Sequence, residues 1–180
     1  RDVSCVAPRA TAILPCVNDS SQAHQPHPFR AREPWLPDRP ETLVVCCSDG
    51  RFHAQLEEFV RHEVSERADV FAVPGGPACV DPWTSSFDEA RVFDQAMRLF
   101  SEAHDLHSVW LIAHQGCAYY AFKHPGNGPV ELRRQQVKDL QAARERISAA
   151  HRKYSVRCFF AALEDGVVVF EDVDAASAAR

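Results

Sequence analysis

Two cysteines and one histidine raise the first chemical question. Cys47 closes the apolar run Thr42-Leu-Val-Val-Cys-Cys47, while His114 and Cys117 directly follow the run Ser108-Val-Trp-Leu-Ile-Ala113. Two thiolates and an imidazole, each about 2.0 to 2.3 Å from a common point, make a zinc ligand set with one position left over, which points to catalysis more than to a closed structural site. Asp49 and Arg51 stand just beyond Cys47. Asp49 either takes the fourth position and caps the metal, or pairs with Arg51 and leaves that position to water. A guanidinium grips a carboxylate through two parallel hydrogen bonds, keeps it ionised and orients its free oxygen, so Asp49 paired in this way can accept the proton of a zinc-bound water. Zinc lowers the pKa of bound water from 15.7 to roughly 7. Two anionic thiolates oppose that shift, so an alkaline optimum is expected.

Other cysteine chemistries fit less well. A cysteine phosphatase cradles its anion between a Cys and an Arg spaced further apart than Cys46 or Cys47 stands from Arg51, and no Cys-x-x-Cys pair supports a thioredoxin-like role. The cysteines number seven, an odd count in a chain long enough to need no disulfide staples, so reduced thiols are expected. Cys46 and Cys158 sit inside apolar runs, where free Cys behaves as a small core residue. The remaining histidines (24, 27, 53, 62, 104, 107, 124 and 151) read as solvent-facing or satisfied polar residues, with His53 a minor candidate for moving protons beside the dyad.

The elements that must position these residues follow from hydrophobic pattern. Short continuous apolar runs at 42–47, 68–73, 108–113 and 155–161 suit strands covered on both faces. Between the first two, Phe52, Leu56, Phe59 and Val60 fall at helical spacing. Ser86-Phe-Asp-Glu89 has the form of a capping box opening a helix through Phe93, Met97 and Phe100, and a third helix is expected over about 131–153. Gly166-Val-Val-Val-Phe170 follows the fourth strand after a tight turn and should pair antiparallel at the edge. The predicted fold is α/β: a mostly parallel sheet of order about 2-1-3-4, with an antiparallel edge strand and flanking helices. Ligands in such sheets bind beyond the carboxyl ends of the strands, so neighbouring first and third strands bring Cys47, His114 and Cys117 into one crevice.

Residues 1–40 hold seven of the twelve prolines and no sustained period, and are expected to form an extended arm before a single domain at 41–180. Its apolar members Ile13, Leu14, Phe29, Trp35 and Leu36 suggest packing along a surface such as a partner subunit's. With 180 residues, 46% of them hydrophobic, one buried core is expected. A net charge of -5 without a basic stripe argues against nucleic acid and for a small or neutral substrate. No apolar run reaches the ~18 residues of a membrane span. The expected compartment is cytoplasmic; residue 1 is Arg, so organellar targeting by an upstream peptide stays open.

Cys47-Ser-Asp49-Gly-Arg51 followed by His114-Gln-Gly-Cys117 resembles the C-x-D-x-R and H-x-x-C pair of β-class carbonic anhydrases, and the expected strand order, helices and arm extend the resemblance over nearly the whole chain. It implies zinc on Cys47, His114 and Cys117, a gating dyad of Asp49 and Arg51, and reversible hydration of CO2 to bicarbonate by a zinc-bound hydroxide. It also implies homodimers or higher homo-oligomers with interlocked arms. This chain departs from the family pattern at Gly50, usually Ser, at Val73-Pro-Gly-Gly76, usually Arg-Asn-Ala-Gly, and at Ala118, usually Gly. Gly75 and Gly76 can still bring backbone amides close to a ligand. Carbonyl sulfide or carbon disulfide hydrolysis at the same zinc is an alternative, as is a non-catalytic zinc-binding homologue with Asp49 on the metal.

Overall fold

The computed structural model describes residues 28–64, 67–83 and 85–174. Strands β1 (Thr42–Cys47), β2 (Asp69–Val73), β3 (Ser108–His114), β4 (Ser155–Glu164) and β5 (Val167–Asp172) form one sheet in the order β2-β1-β3-β4-β5. The first four are parallel and β5 is antiparallel to β4, as the hydrophobic runs predict. Every residue of β1 is buried, which is why its sequence is continuous rather than alternating. The β4–β5 connection is Asp165-Gly166, both with positive φ (48° and 82°), the geometry of a two-residue turn that matches strand twist.

Pleating divides the apolar residues of each strand between two faces. Leu43, Val45, Leu111, Cys158 and Phe160 pack with Phe93 and Met97 of α2 (Phe87–Ala103) and with Leu140, Ala143 and Ile147 of α4 (Pro129–Ala150). Val44, Cys46, Trp110, Ile112 and Phe159 pack with Phe52 and with Leu56 and Val60 of α1 (His53–Val64). The capping box is present: Ser86 Oγ accepts from the Glu89 amide at 3.2 Å and donates to the Glu89 carboxylate at 2.9 Å. Two short elements carry no sequence signal. A single 3₁₀ turn at Gly76–Val80 and the six-residue α3 at Ala118–Lys123 are too short to display a stripe of their own.

The chain divides into two units, Arg1–Leu36 and Pro37–Arg180. Residues 28–36 of the first form neither helix nor strand, and Phe29 and Trp35 are exposed. Cys5, Ile13, Leu14, Cys16, His24 and His27 lie outside the described residues. No helix among the described residues is long and apolar enough to cross a membrane.

Candidate metal centre

Cys47 is the last residue of β1 and His114 the last of β3, and those strands are hydrogen-bonded neighbours, so the sheet itself delivers two of the three candidate ligands to one crevice. The third, Cys117, stands at the N-cap position of α3 after the turn through Gly116, whose φ is 71°. Among the described residues, Cys47, His114 and Cys117 are a group whose donor atoms lie within 4.8 Å of one another, and all three are buried. The two Sγ atoms are 3.7 Å apart.

The imidazole is preset for a metal. Its Nδ1 lies 2.9 Å from the Gln115 carbonyl, which can only accept, so the proton is on Nδ1 and the lone pair is on Nε2. Nε2 is buried and has no hydrogen-bond partner. A buried acceptor left alone calls for an explanation, and beside two thiols a cation held by the three donors would supply it. Phe52 stacks on the ring at 4.5 Å, and the Gln136 side chain donates to the His114 backbone carbonyl at 2.8 Å, holding the strand end that carries it.

The thiols share the same preparation. Cys47 is held toward the thiolate, chiefly by the hydrogen bond from Cys117 and less by the nearby backbone amides of Asp49 and Gly75, against the opposing effect of burial. Cys117 is pushed up correspondingly, first by that bond and then by burial. Cys46, Cys79 and Cys158 contrast with them, since burial pushes each thiol up to about 12, as suits the core role expected for Cys46 and Cys158.

Asp49 stands apart from the donor group because Arg51 holds both its oxygens. The guanidinium donates from Nε to Oδ1 at 2.9 Å and from a terminal nitrogen to Oδ2 at 2.5 Å, and the Arg51 amide adds a bond to Oδ1 at 3.1 Å. These bonds hold the carboxyl well below the usual carboxylate range. The same guanidinium nitrogen reaches the Gly116 carbonyl at 3.1 Å, tying the dyad to the turn that carries Cys117. His53 is committed elsewhere, its Nε2 donating to the Cys47 carbonyl at 3.0 Å.

Sequence reasoning missed the residues that brace this centre from α4. Gln136 and Asp139 are buried polar side chains on the inward stripe that also carries Leu140, Ala143 and Ile147, and polar interruptions of an apolar stripe were the available signal. Asp139 accepts from Tyr120 of α3 at 2.8 Å and from Gln135 at 2.7 Å. Asp139→Ala, which strands the buried Tyr120 hydroxyl, should cost about 1–3 kcal/mol in urea unfolding, and Asp139→Asn clearly less, because its amide oxygen still accepts. Equal losses would show that this acceptor does not hold α3.

No protein-family model and no curated protein sequence matches the chain. Solved structures do. The β-carbonic anhydrase CcaA superposes with a TM-score of 0.51 at 17% identity, over 75% of this chain and 74% of that one. The carbonic anhydrase of Streptococcus mutans does so with a TM-score of 0.50 at 11% identity, over 77% and 86%. The fold is that of a β-carbonic anhydrase. At such identities the likeness concerns the path of the chain, and in this β-carbonic anhydrase fold the Cys-His-Cys cluster stands at the carboxyl ends of β1 and β3, where the crossovers diverge to opposite faces.

Proposed function

We propose that the chain is a zinc-dependent enzyme of the carbonic anhydrase type, catalysing reversible hydration of CO2 to bicarbonate. One observation carries the reading: a buried Cys-His-Cys donor set with an orphaned His114 Nε2 adjoins a carboxylate already claimed by arginine. Cys47, His114 and Cys117 would hold zinc, which supplies the Lewis acidity that makes water a nucleophile near neutral pH. The protein's own part is proton handling and order. Asp49, kept ionised by Arg51, is an acceptor for the proton lost by the attacking water and returns it in the reverse direction. The Arg51 bond to Gly116 keeps that acceptor in register with Cys117. A homodimer or higher homo-oligomer belongs to the same proposal, supported by exposed Val70 on the edge strand β2 and exposed Val92 and Leu99 on α2.

Stopped-flow CO2 hydration at about pH 8.5 tests the reading. Zinc-loaded protein should exceed the buffer rate, and Asp49→Ala should lower the rate by about 10²–10⁴-fold while keeping its zinc, the range for loss of a general base. A buffer-level rate with zinc bound would remove the proposal.

Carbonyl sulfide or carbon disulfide hydrolysis is a second reading, favoured by one observation. A cavity of about 300 Å3 beside Cys117 is walled by Gly116, Val130, Leu132 and Phe160, and of its polar lining groups Arg133 is bonded to Glu171, Gln136 to the His114 carbonyl and Gln115 Oε1 to the Leu163 amide. Such a cavity suits a larger, less polar cumulene than CO2. Sulfide release from carbonyl sulfide by protein inactive on CO2 would favour it.

A further inference from the structure

We propose that Tyr119 is a positioning residue of the metal centre, its ring clamping the Gly75-Gly76 turn onto the end of β1 and so fixing the backbone that carries Cys47. The inference rests on the metal-binding reading above and assigns a role to a residue outside the ligand set and the dyad.

The geometry is a three-layer sandwich. A Cβ built on Gly75 would lie 2.4 Å from a ring carbon of Tyr119, so the aromatic ring fills the space that any side chain at 75 would need. A Cβ on Gly76 would lie 2.7 Å from the backbone carbonyl carbon of Cys46 and 2.7 Å from the backbone nitrogen of Cys47. Ring, turn and strand end are therefore in direct contact, and the turn passes between them only because both residues are glycines with positive φ, 77° and 54°. Tyr119 lies two residues beyond Cys117 on α3, so the clamp links the segment of one candidate ligand to the backbone of another.

The phenol oxygen takes no part. Tyr119 Oη is buried without a partner, whereas the ring is held on its face, with Lys123 Nζ 5.3 Å from the centroid. The ring, not the hydroxyl, performs the clamping. Releasing the turn should free the backbone of Cys47 and loosen the fixed orientation of its thiolate.

Cobalt(II) titrated into the metal-stripped full chain reads this directly through its thiolate charge-transfer band, with zinc affinity measured by chelator competition. Y119F should keep the wild-type band and bind zinc within about twofold of wild type, since the ring remains. Y119A should shift or broaden the band and weaken zinc about 10–100-fold, the usual effect of losing an outer partner of a ligand. Y119L keeps bulk without a flat ring, should behave as Y119A does, and decides the matter if Y119A fails to fold. Wild-type band and affinity in a folded Y119A or Y119L would overturn the proposal. Collapse of both with Y119F intact would make the ring a core residue only, and would overturn it too. No thiolate band in the wild-type protein would instead remove the metal reading itself, and this inference with it.

Discussion

Cys117→Ser should leave the protein folded and almost free of zinc. Serine keeps the shape of the side chain but offers a neutral hydroxyl in place of a thiolate, and Cys47 and His114 are then two ligands where zinc needs at least three. The loss should exceed the ~100-fold that removal of an outer partner costs. Elemental analysis should fall from one zinc per chain to near none. The fold should persist because both faces of the sheet have apolar cores that exist without the ligand set, built on Phe160, Leu140 and Met97 on one side and on Trp110, Ile112 and Leu56 on the other. Cys158→Ser is the matched control. Cys158 is fully buried against the Leu140 carbonyl at 3.6 Å, so its replacement should leave zinc stoichiometry unchanged. Full zinc in Cys117→Ser would count decisively against the ligand assignment.

Gly76→Ala should be strongly destabilising for the addition of a single methyl. Its Cβ would meet backbone, not a movable side-chain tip, at 2.7 Å, and its φ of 54° is strained for any residue with a Cβ. Left-handed strain alone costs about 1–3 kcal/mol. With the clash added, a loss of about 3 kcal/mol or more is expected, which lowers Tm by roughly 6–12 °C for a chain of this size. Two other glycines separate the causes. Gly116 shares the positive φ, 71°, but has open space around its missing Cβ, so Gly116→Ala should show the strain without the clash. Gly50 has neither, and Gly50→Ala should melt with wild type. A Gly76→Ala protein melting within about 2 °C of wild type would refute the close approach.

The parts legible from sequence are those in which local pattern and global position agree. The run Thr42–Cys47 is β1 to the residue because a strand covered on both faces has no reason to alternate. Ser86 caps α2 because its hydroxyl and Glu89 sit three residues apart in any helix start. The candidate ligands were legible for a similar reason: each ends or follows a strand, and parallel sheets open there. What stayed hidden depends on contacts between segments far apart in the chain. Nothing near Tyr119 announces that its ring fills the space beside Gly75, and nothing near Asp139 names Tyr120 as its donor. The Gly75-Gly76 pair did carry a signal, and its lack of side chains lets the turn pack between the Tyr119 ring and the backbone of Cys46 and Cys47.

The separation of 70 residues between Cys47 and Cys117 also sets an order of assembly. The β4–β5 hairpin needs only the Asp165-Gly166 turn and can close on the ~1–10 μs scale of isolated hairpins. β1 must instead wait for β3, with β2, α1 and α2 between them in the chain, and such non-local pairing is the slow step in sheets of this kind. Neither half of the chain alone can assemble the three donors, because Cys47 and His114 meet only through the β1–β3 ladder. A nascent chain therefore gains its full ligand set only when the centre of the sheet has formed, and time-resolved cobalt uptake during refolding would register that event while remaining blind to the hairpin at the edge.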